Sequence, residues 1–497
     1  MLRRMCLPLA AFVLLVLIEA SWSLATPLFA APDEQAHLVK AVALVHGQLI
    51  GRHPVITAYV DQRAYRQVTV PRWVTQANPR CFVEQPHQPA SCPTSMTHDT
   101  TPVQYVTYVG RYPPLYYALV GWPTRLLSGP SAVYAARICS GLLTASMLTL
   151  GFASLRGLST RLSPAAVPLL GPAFLLTVTP MMLFLGAVVQ PSGLECSAAL
   201  AAWIGGFALA LGAVPPTPSE VVAVLFPAGV MTLVRGLSPL FLVVVLLASL
   251  GLPGRPRVRI LLSSKPIRRG CAIVAVVGGV ALGYVGWAHS LTLAGYQAYT
   301  GPGGLELWHR ALVRLPRLGE QAVGVFGYLD THQFRAVVIA WAALVGALVA
   351  GALSQRWQRP QLLTALLVIG VPALVVLVDV DRARHLGFLS QGRYYLPLVV
   401  GLPTLAVIAG QGRGVVNTLL SRARTPLVLG LVFAQALAFL SALRRNRTGV
   451  GSALFVRHAA WEPPVPALGL VVVVALACAG LGVVVLGALP QWGPEQE

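Results

Sequence analysis

Long apolar blocks recur along the whole chain and are separated by short polar loops that carry arginine. A helix needs about 20 apolar residues to cross a bilayer, and the blocks have roughly that length. The pattern therefore predicts an all-α polytopic membrane protein rather than two or three soluble domains. About 12 spans are predicted, at 7–27, 131–155, 164–186, 194–213, 219–234, 236–251, 270–291, 336–354, 361–379, 394–411, 425–443 and 466–489.

Two parts of this assignment leave alternatives open. The sequence "RGLSP" at 235–239 interrupts the apolar stretch 219–251, and each half is short for a span. The segment 113–127 is either a thirteenth span or a helix along the membrane surface. The predicted organisation is a first span in 1–28, a large extracytoplasmic loop with an interfacial helix in 29–130, spans in 131–292, a second extracytoplasmic loop in 293–335, and spans with a short tail in 336–497.

Charge sets the predicted orientation. The chain has 36 Lys or Arg against 16 Asp or Glu, which gives a net charge of +20. The start "MLRRM" is basic, and the loop 252–269 has six basic residues and no acid, so the positive-inside rule places both in the cytoplasm. Most acids then face outward. The positive excess favours anionic membrane lipids as partners and does not indicate nucleic acid.

The stretch "PDEQAHLVK" at 32–40 follows the first span on the predicted outer side. Asp33 and His37 are four residues apart and Glu34 and His37 three apart, so on a helix they are neighbours. A carboxylate and an imidazole on one face can act as a general base or hold a divalent cation. The alternative is a well-started helix, with Pro32 in its first turn and acids at its positive end.

A pair of aromatic residues occurs in "RYPPLYYAL" at 111–119. Tyr116 and Tyr117 either anchor the chain at the membrane surface, where aromatic rings collect, or form a platform on which a sugar stacks. In "GVFGYLDTHQF" at 324–334, Asp330 is either a ligand-binding acid or the N-cap of the next helix. Spacing alone does not separate these alternatives.

Arg393 and Tyr394 begin a predicted span in "QGRYYLPL". Snorkelling of the cation and anchoring of the ring explain much of this pattern. However, a guanidinium at a helix start is also a good cradle for a lipid phosphate. In the large outer loop, Cys81 and Cys92 have no zinc-site spacing, and a disulfide between them is open.

Four of these motifs occur in a fixed order: "PDEQAHLVKA", "PPLYYAL", "GVFGYLDT" and "QGRYYLPL". In this order and topology, the chain resembles a large family of bacterial polytopic membrane proteins of unknown function, common in actinobacteria and grouped with the GT-C glycosyltransferase superfamily. The resemblance covers about 5–445. Tyr328 stands where Trp is usual, and Gln190 and Ser192 stand where Asn and Asp are more typical.

The resemblance implies a GT-C-like helical bundle with an extracytoplasmic cap in the bacterial cytoplasmic (plasma) membrane, with the N-terminus cytoplasmic and the active site outside. It also implies transfer of a sugar from a polyprenyl-phosphate-linked donor to a cell-envelope polysaccharide or lipid acceptor. Asp33 matches the acidic residue of the first outer loop. Asp33, with Glu34 beside it, is therefore expected to be catalytic, either as the base that activates the acceptor hydroxyl or as a ligand of a metal ion.

The other expected site residues follow from the same resemblance. The expected metal ligands are Asp33 and His37, for Mg²⁺ or Mn²⁺ if the reaction uses one. Burial near the apolar membrane surface is expected to raise the pKa of Asp33, which suits a base. The residues expected to bind substrate are His37, Tyr116, Tyr117, Asp330, Arg393 and Tyr394.

Three classes of protein are alternatives to a glycosyltransferase. A multi-span transporter or a flippase for lipid-linked sugars needs charges at mid-membrane, and only Glu19, Arg137 and Arg235 approach that depth. A membrane metalloprotease is disfavoured, because Asp33 stands where the motif H-E-x-x-H needs its first histidine. A scaffold that has kept the fold and lost the reaction is the third alternative.

Overall fold

The computed structural model describes residues 2–53, 65–76, 79–92, 96–212, 216–290, 303–453 and 458–489, and they are mainly helical. The α-helices are α1 (Leu2–Ala25), α2 (Glu34–Val45), α3 (Pro114–Gly121), α4 (Gly129–Ser159), α5 (Val167–Thr177), α6 (Pro180–Gly186), α7 (Pro191–Leu211), α8 (Pro218–Val234), α9 (Ser238–Gly251), α10 (Arg255–Ser263), α11 (Lys265–Ser290), α12 (Gly304–Val313), α13 (Leu315–Gly324), α14 (Arg335–Leu353), α15 (Arg359–Leu386), α16 (Leu396–Val399), α17 (Leu402–Gly410), α18 (Gly414–Arg422), α19 (Arg424–Thr448) and α20 (Ala467–Ala488). The 3₁₀ helices are Arg72–Thr75, Pro79–Cys81, Trp122–Arg125 and Gly392–Tyr394. The strands are β1 (Arg66–Pro71), β2 (Pro102–Thr107), β3 (Val325–Phe326) and β4 (Thr331–His332).

The multi-pass helical fold predicted from the apolar blocks is confirmed. Among the described helices, eight are long and apolar enough to cross a membrane, and two bent pairs raise the number to ten if each pair is one span. The pairs are α5 with α6, bent by 52°, and the α16–α17 segment with α18, bent by 112°. Helices α8 and α9 are apolar but shorter. Each predicted span coincides with one of these helices or pairs, although a count of 12 is not confirmed.

Two open points of the predicted organisation concern the segment 113–127 and the boundaries near 292 and 490. The segment 113–127 contains α3, which has 8 residues, and a helix of that length extends about 12 Å, too short to cross a bilayer. It is therefore not a thirteenth span by itself. The predicted domain boundary at 292–293 and the tail at 490–497 lie outside the described residues.

Helix α7 lies at the centre of the bundle, packed against α4, α8 and α9. In the most apolar stretch of α7, 89% of the residues are buried, against 11% in that of α11, whose apolar side chains are largely exposed. Small residues bring the helix backbones together, as is usual in membranes. At Gly205, for example, an added Cβ would lie 2.9 Å from the carbonyl oxygen of Ala223.

The predicted outer loop departs from an all-α fold, because β1 and β2 form an antiparallel sheet. The sequence "RQVTVP" of β1 alternates buried and partly buried residues, with Val68 and Val70 facing the core. Strands β3 and β4 form a short hairpin. Its turn needs Gly327, whose φ is +60°.

A disulfide joins Cys81 and Cys92, whose Cα atoms are 6.0 Å apart. Arg445, near the end of α19, donates hydrogen bonds to the carbonyl oxygens of Phe82 at 2.6 Å and Gln88 at 2.8 Å. The disulfide loop is thereby fixed to the end of a membrane helix.

The ends of the helices meet in two groups. At one end, which we call the Asp33 end, the turn after α1 meets the starts of α2 and α7 and the 3₁₀ turn before α16, and the start of α9 contacts α7 there. At the other, which we call the arginine-rich end, Arg161, Arg257 and Arg359 donate hydrogen bonds to carbonyl oxygens at or just after the ends of α7 and α9. The two ends carry different chemistry.

Candidate active site

Asp33 lies in the turn between α1 and α2. Its backbone is left-handed, with φ 64° and ψ 1°, and α2 begins at Glu34, so the expectation that Pro32 opens the helix is wrong. The carboxylate makes no capping bond. Instead, Oδ1 accepts a hydrogen bond from the Tyr108 hydroxyl, and Oδ2 accepts one from Arg393 Nη2 at 2.6 Å. The Asp33 side chain is 32% exposed and therefore open to a ligand.

The electrostatics of Asp33 differ from expectation. Burial raises the pKa of the carboxyl, but the charge of Arg393 and the hydrogen bonds from Tyr108 and Arg393 outweigh burial and hold the pKa below its ordinary value. The expected rise in pKa is therefore wrong for the free protein. Asp33 is ionised at neutral pH.

Glu34, the next residue, has a closed environment. Its two oxygens accept hydrogen bonds from Nε and Nη2 of Arg137, both at 2.6 Å, and both side chains are 0% exposed. The other Arg137 donors bind the carbonyl oxygens of Ser23, Thr26 and Pro27 at the end of α1. This geometry fits a residue that fixes the α1–α2 turn, and the predicted catalytic role of Glu34 stays a prediction.

His37 and the two tyrosines of α3 are buried behind Asp33. The His37 Nδ1 and the Tyr117 hydroxyl are 2.8 Å apart, and the Tyr116 hydroxyl lies 3.0 Å from Ser140 Oγ. Burial lowers the pKa of His37 to about 3, so its ring is neutral at physiological pH. Both tyrosines are 0% exposed, which leaves no free ring face for a sugar and does not support the predicted stacking platform.

Arg393 lies in the 3₁₀ turn that precedes α16 and is 2% exposed. Nη2 binds Asp33, whereas Nε and Nη1 are buried and have no hydrogen-bond partner within the part of the chain that the structure describes. The ring of Tyr394 holds the guanidinium, whose carbon is 5.3 Å from the ring centroid. The structure thus brings Arg393 and Asp33 into contact and leaves two guanidinium nitrogens of Arg393 without a partner among the described residues.

Arg235, between α8 and α9, is a site residue that the sequence interpretation did not include. Its guanidinium carbon lies 4.9 Å from the centroid of the same Tyr394 ring. Nη1 donates to Ser192 Oγ and to Glu195 Oε2, each at 3.1 Å. The available signal was the charged break "RGLSP" inside an apolar stretch. Two guanidiniums therefore lie at one ring, next to the exposed carboxylate.

Asp330 belongs to a different contact. Its Oδ2 accepts a hydrogen bond from Arg445 Nη2 at 2.7 Å, and its Oδ1 accepts one from the Thr331 hydroxyl at 2.8 Å. The alternative that Asp330 is an N-cap is wrong, because α14 begins at Arg335 and its N-cap is Phe334. The Asp330 side chain is 6% exposed, so it ties the β3–β4 hairpin to the disulfide loop.

The residues expected to hold a metal do not fit one. Within the described ranges, no group of three or more His, Cys, Asp or Glu is placed to hold a metal ion. Both Asp33 oxygens are engaged, by Arg393 and Tyr108, and His37 Nδ1 is engaged by Tyr117. A guanidinium bound to the carboxylate would also repel a divalent cation.

An apolar cavity of about 400 Å³ lies beside Arg393. Gly392 and Tyr395, on either side of Arg393 in sequence, both line it. The other lining residues come from α13, α14, α15 and the α16–α17 segment, and they are almost all aliphatic. The apolar cavity thus adjoins the turn that carries Arg393, although Arg393 itself does not line it.

Residues 15–402 match the family model described as "Predicted membrane protein (DUF2142)". The structure is similar to that of ArnT from Cupriavidus metallidurans bound to undecaprenyl phosphate, with a TM-score of 0.45 and 14% identity over 96% of this chain and 76% of that chain. For apo ArnT from the same organism the TM-score is 0.37, with 15% identity over 76% of this chain and 66% of that chain. Among curated proteins, none matches the sequence.

Proposed function

The chain belongs to the DUF2142 family of predicted membrane proteins, and on that premise we propose that it is a membrane glycosyltransferase. Its donor is a sugar linked to polyprenyl phosphate, and its acceptor is a polysaccharide or lipid of the cell envelope. The reaction takes place at the Asp33 end of the bundle, on the extracytoplasmic side.

The observation that carries this proposal is the pair of unpartnered donors on Arg393. A buried guanidinium with N–H groups left unsatisfied is costly, whereas phosphate oxygens match its planar fork. A phosphate bound at Nε and Nη1 would lie next to Asp33, because Nη2 of the same guanidinium contacts that carboxylate.

The apolar cavity supports a lipid-linked donor rather than a soluble one. Because Gly392 and Tyr395 line the cavity, a phosphate at Arg393 would continue into a space of about 400 Å³ walled by aliphatic side chains. A polyprenyl chain is purely apolar and would gain from burial there. A nucleotide would leave these walls uncovered.

The proposed step uses three side chains. Asp33 removes the proton from the acceptor hydroxyl, and the hydroxyl oxygen forms a bond to the anomeric carbon of the donor sugar. The bond between that carbon and the phosphate oxygen breaks, and its electron pair leaves with the phosphate. Arg393 and Arg235 stabilise the charge that the leaving phosphate gains.

The lowered pKa of Asp33 makes it a weak base in the free protein. Donor binding would correct this, because a phosphate at Nε and Nη1 brings negative charge next to the Asp33 carboxylate and offsets the charge of Arg393. The pKa of Asp33 then rises, since burial acts with less opposition. The carboxylate would thereby become a better base only when the donor is present.

The remaining predicted site residues take supporting roles in this proposal. Glu34 and Arg137 fix the turn that carries Asp33, and His37 with Tyr117 fills the space behind it. Tyr394 positions both guanidiniums through its ring.

The test is a transfer assay with the full-length protein in proteoliposomes. A panel of radiolabelled polyprenyl-phosphate sugars is supplied with an envelope extract, and label on the acceptor is measured for wild type, Asp33→Asn and Asp381→Asn. Asp381 is an exposed acid of α15 and serves as the matched control. We expect Asp33→Asn to lose about 10²- to 10⁴-fold in rate, as for a general base, and the control to keep its rate.

Equal transfer by wild type and Asp33→Asn would remove Asp33 as the base. No transfer by any variant, with labelled lipid crossing the bilayer, would replace the proposal with a flippase for lipid-linked sugars.

A further inference from the structure

A second cleft, of about 520 Å³, opens at the arginine-rich end between α9, α10 and α15. Its apolar wall includes Leu250 from α9 and Leu362, Leu363 and Leu366 from α15. Leu362 is 50% exposed and Leu366 is 66% exposed, and the two lie one turn apart on the same face of α15. The cleft is therefore open to the lipid phase along α15.

Three arginines line the same cleft: Arg255 and Arg259 from α10, and Arg359 from the first turn of α15. Arg359 Nη1 donates a hydrogen bond to the carbonyl oxygen of Pro253 at 2.5 Å, which fixes its guanidinium against the loop that enters α10. Arg255 begins α10 immediately after that loop. Like charges thus converge at the mouth of an apolar cleft.

No acid of these elements compensates that charge. The sequence contains no Asp or Glu in 238–269 or in 335–366, which together include α9, α10, α14 and the first turns of α15. Glu220, at the start of α8, is engaged by Arg161 and Thr217. Like charges that converge without a counter-charge repel one another, so an anion is the complementary occupant.

We propose that this cleft binds a bilayer phospholipid with an anionic headgroup. The phosphate contacts Arg255, Arg259 and Arg359, and an acyl chain lies along Leu362 and Leu366. Charge explains the headgroup, and the exposed leucines explain the lipid, since a soluble anion would leave the apolar wall uncovered.

This site is separate from the candidate active site. Helix α9 begins at Ser238, whose hydroxyl donates to Glu195 beside Arg235, and it ends at Gly251 in the cleft. Its 14 residues extend about 21 Å along the helix axis. The proposal rests on none of the residues assigned to sugar transfer.

The experiment uses the full-length protein in detergent, with lipid binding measured by native mass spectrometry. The probes are dioleoyl phosphatidylglycerol, dioleoyl phosphatidylcholine and soluble glycerol phosphate. The cleft variant combines Arg255→Gln, Arg259→Gln and Arg359→Gln. The matched control combines Arg268→Gln, Arg269→Gln and Arg422→Gln, which are exposed arginines outside the cleft lining. The melting temperature of each variant in phosphatidylcholine shows whether it folds.

We expect phosphatidylglycerol to bind wild type with affinity about tenfold or more above phosphatidylcholine, and the cleft variant to lose that preference. The control variant should keep it, and glycerol phosphate should not compete. Equal loss in both variants would overturn the proposal in favour of a diffuse surface charge. Competition by glycerol phosphate would overturn it in favour of a soluble anion. If the cleft variant does not fold, the single changes Arg255→Gln and Arg259→Gln are compared with Arg268→Gln, and unchanged lipid preference would equally overturn it.

Discussion

Two adjacent carboxylates of the same turn pair with two arginines in opposite ways. Glu34 and Arg137 are both fully buried, joined by two short hydrogen bonds, and the other Arg137 donors bind backbone carbonyl oxygens. The Asp33 side chain is 32% exposed and accepts a hydrogen bond from only one guanidinium nitrogen of Arg393, Nη2. In that second pair, two N–H groups of the arginine remain unpartnered among the described residues.

The difference shows how to separate structure from chemistry in a membrane protein. A closed pair has no capacity left for a ligand, and its removal should affect folding. An open pair keeps donors and an exposed acceptor, and its removal should affect activity. Two carboxylates that are neighbours in sequence can therefore have different roles. The role depends on whether the paired arginine still has N–H groups without a hydrogen-bond partner.

The largest expected effect comes from breaking the closed pair. Arg137→Gln leaves the Glu34 carboxylate buried and uncompensated, which typically costs about 3–5 kcal/mol. The free energy of unfolding in mixed micelles measures this loss. The double variant with Glu34→Gln should recover part of it, because no unpaired charge then remains. Unchanged stability of the single variant would contradict the closed-pair assignment.

Breaking the open pair should give the opposite result. Arg393→Gln removes the proposed phosphate contact, and we expect transfer to fall about 10²- to 10³-fold, as for the loss of a transition-state donor. Stability should change little, because Asp33 is partly exposed to water and keeps Tyr108. Measurement of both quantities for Arg393→Gln and Arg137→Gln decides the comparison. A loss of stability equal to that of Arg137→Gln would erase the distinction.

A third prediction concerns pH. In the free protein the pKa of Asp33 is lowered. In a plot of kcat/KM against pH, the midpoint of the acid limb should therefore lie below the ordinary aspartate pKa of about 3.9. The acid limb of kcat reports the donor complex, where Arg393 binds phosphate, and it should lie about one pH unit or more higher. Stability contributed by the ionised Asp33 is present above its ordinary pKa and is lost as pH falls through the lowered value. If the acid limbs of the two pH profiles coincide, the donor phosphate does not offset the charge of Arg393 beside Asp33.

The smallest expected effect is that of Tyr108→Phe. The variant removes one hydrogen bond to Asp33 Oδ1, a contribution of about 0.5–1.5 kcal/mol, and so raises the pKa of Asp33 without touching Arg393. The acid limb of kcat/KM should move up by less than about one unit. Tyr65→Phe, whose ring meets Tyr108 edge to face, is the control. A shift of the same size in the control would assign the effect to ring packing.

The sequence allowed the membrane helices to be predicted, and it marked Asp33 and Arg393 as separate candidate residues, for different reasons. Spans follow from the length of apolar blocks, because an unsatisfied polar backbone cannot lie in lipid. Asp33 and Arg393 are 360 residues apart, and their motifs each mark a polar element next to a span. Helices that return to the same membrane face bring such elements together.

The partners of Glu34 and Asp330 could not be predicted in this way. A charge inside a span, such as Arg137, indicates that it needs a partner, but its identity depends on the rotation and register of packed helices. Arg137 is 103 residues from Glu34, and Arg445 is 115 from Asp330. Arg235 was missed because a break in an apolar stretch is also what an ordinary loop produces.

The left-handed backbone of Asp33 restricts evolution at this position independently of chemistry. That conformation costs most side chains about 1–2 kcal/mol, while glycine, asparagine and aspartate adopt it readily. A lineage that lost the reaction but kept the turn is therefore expected to drift to Gly or Asn, and Glu, which keeps the charge, is expected to be rare. Among the residues that adopt this backbone readily, aspartate alone carries a carboxylate, so the backbone and the reaction together favour the same residue.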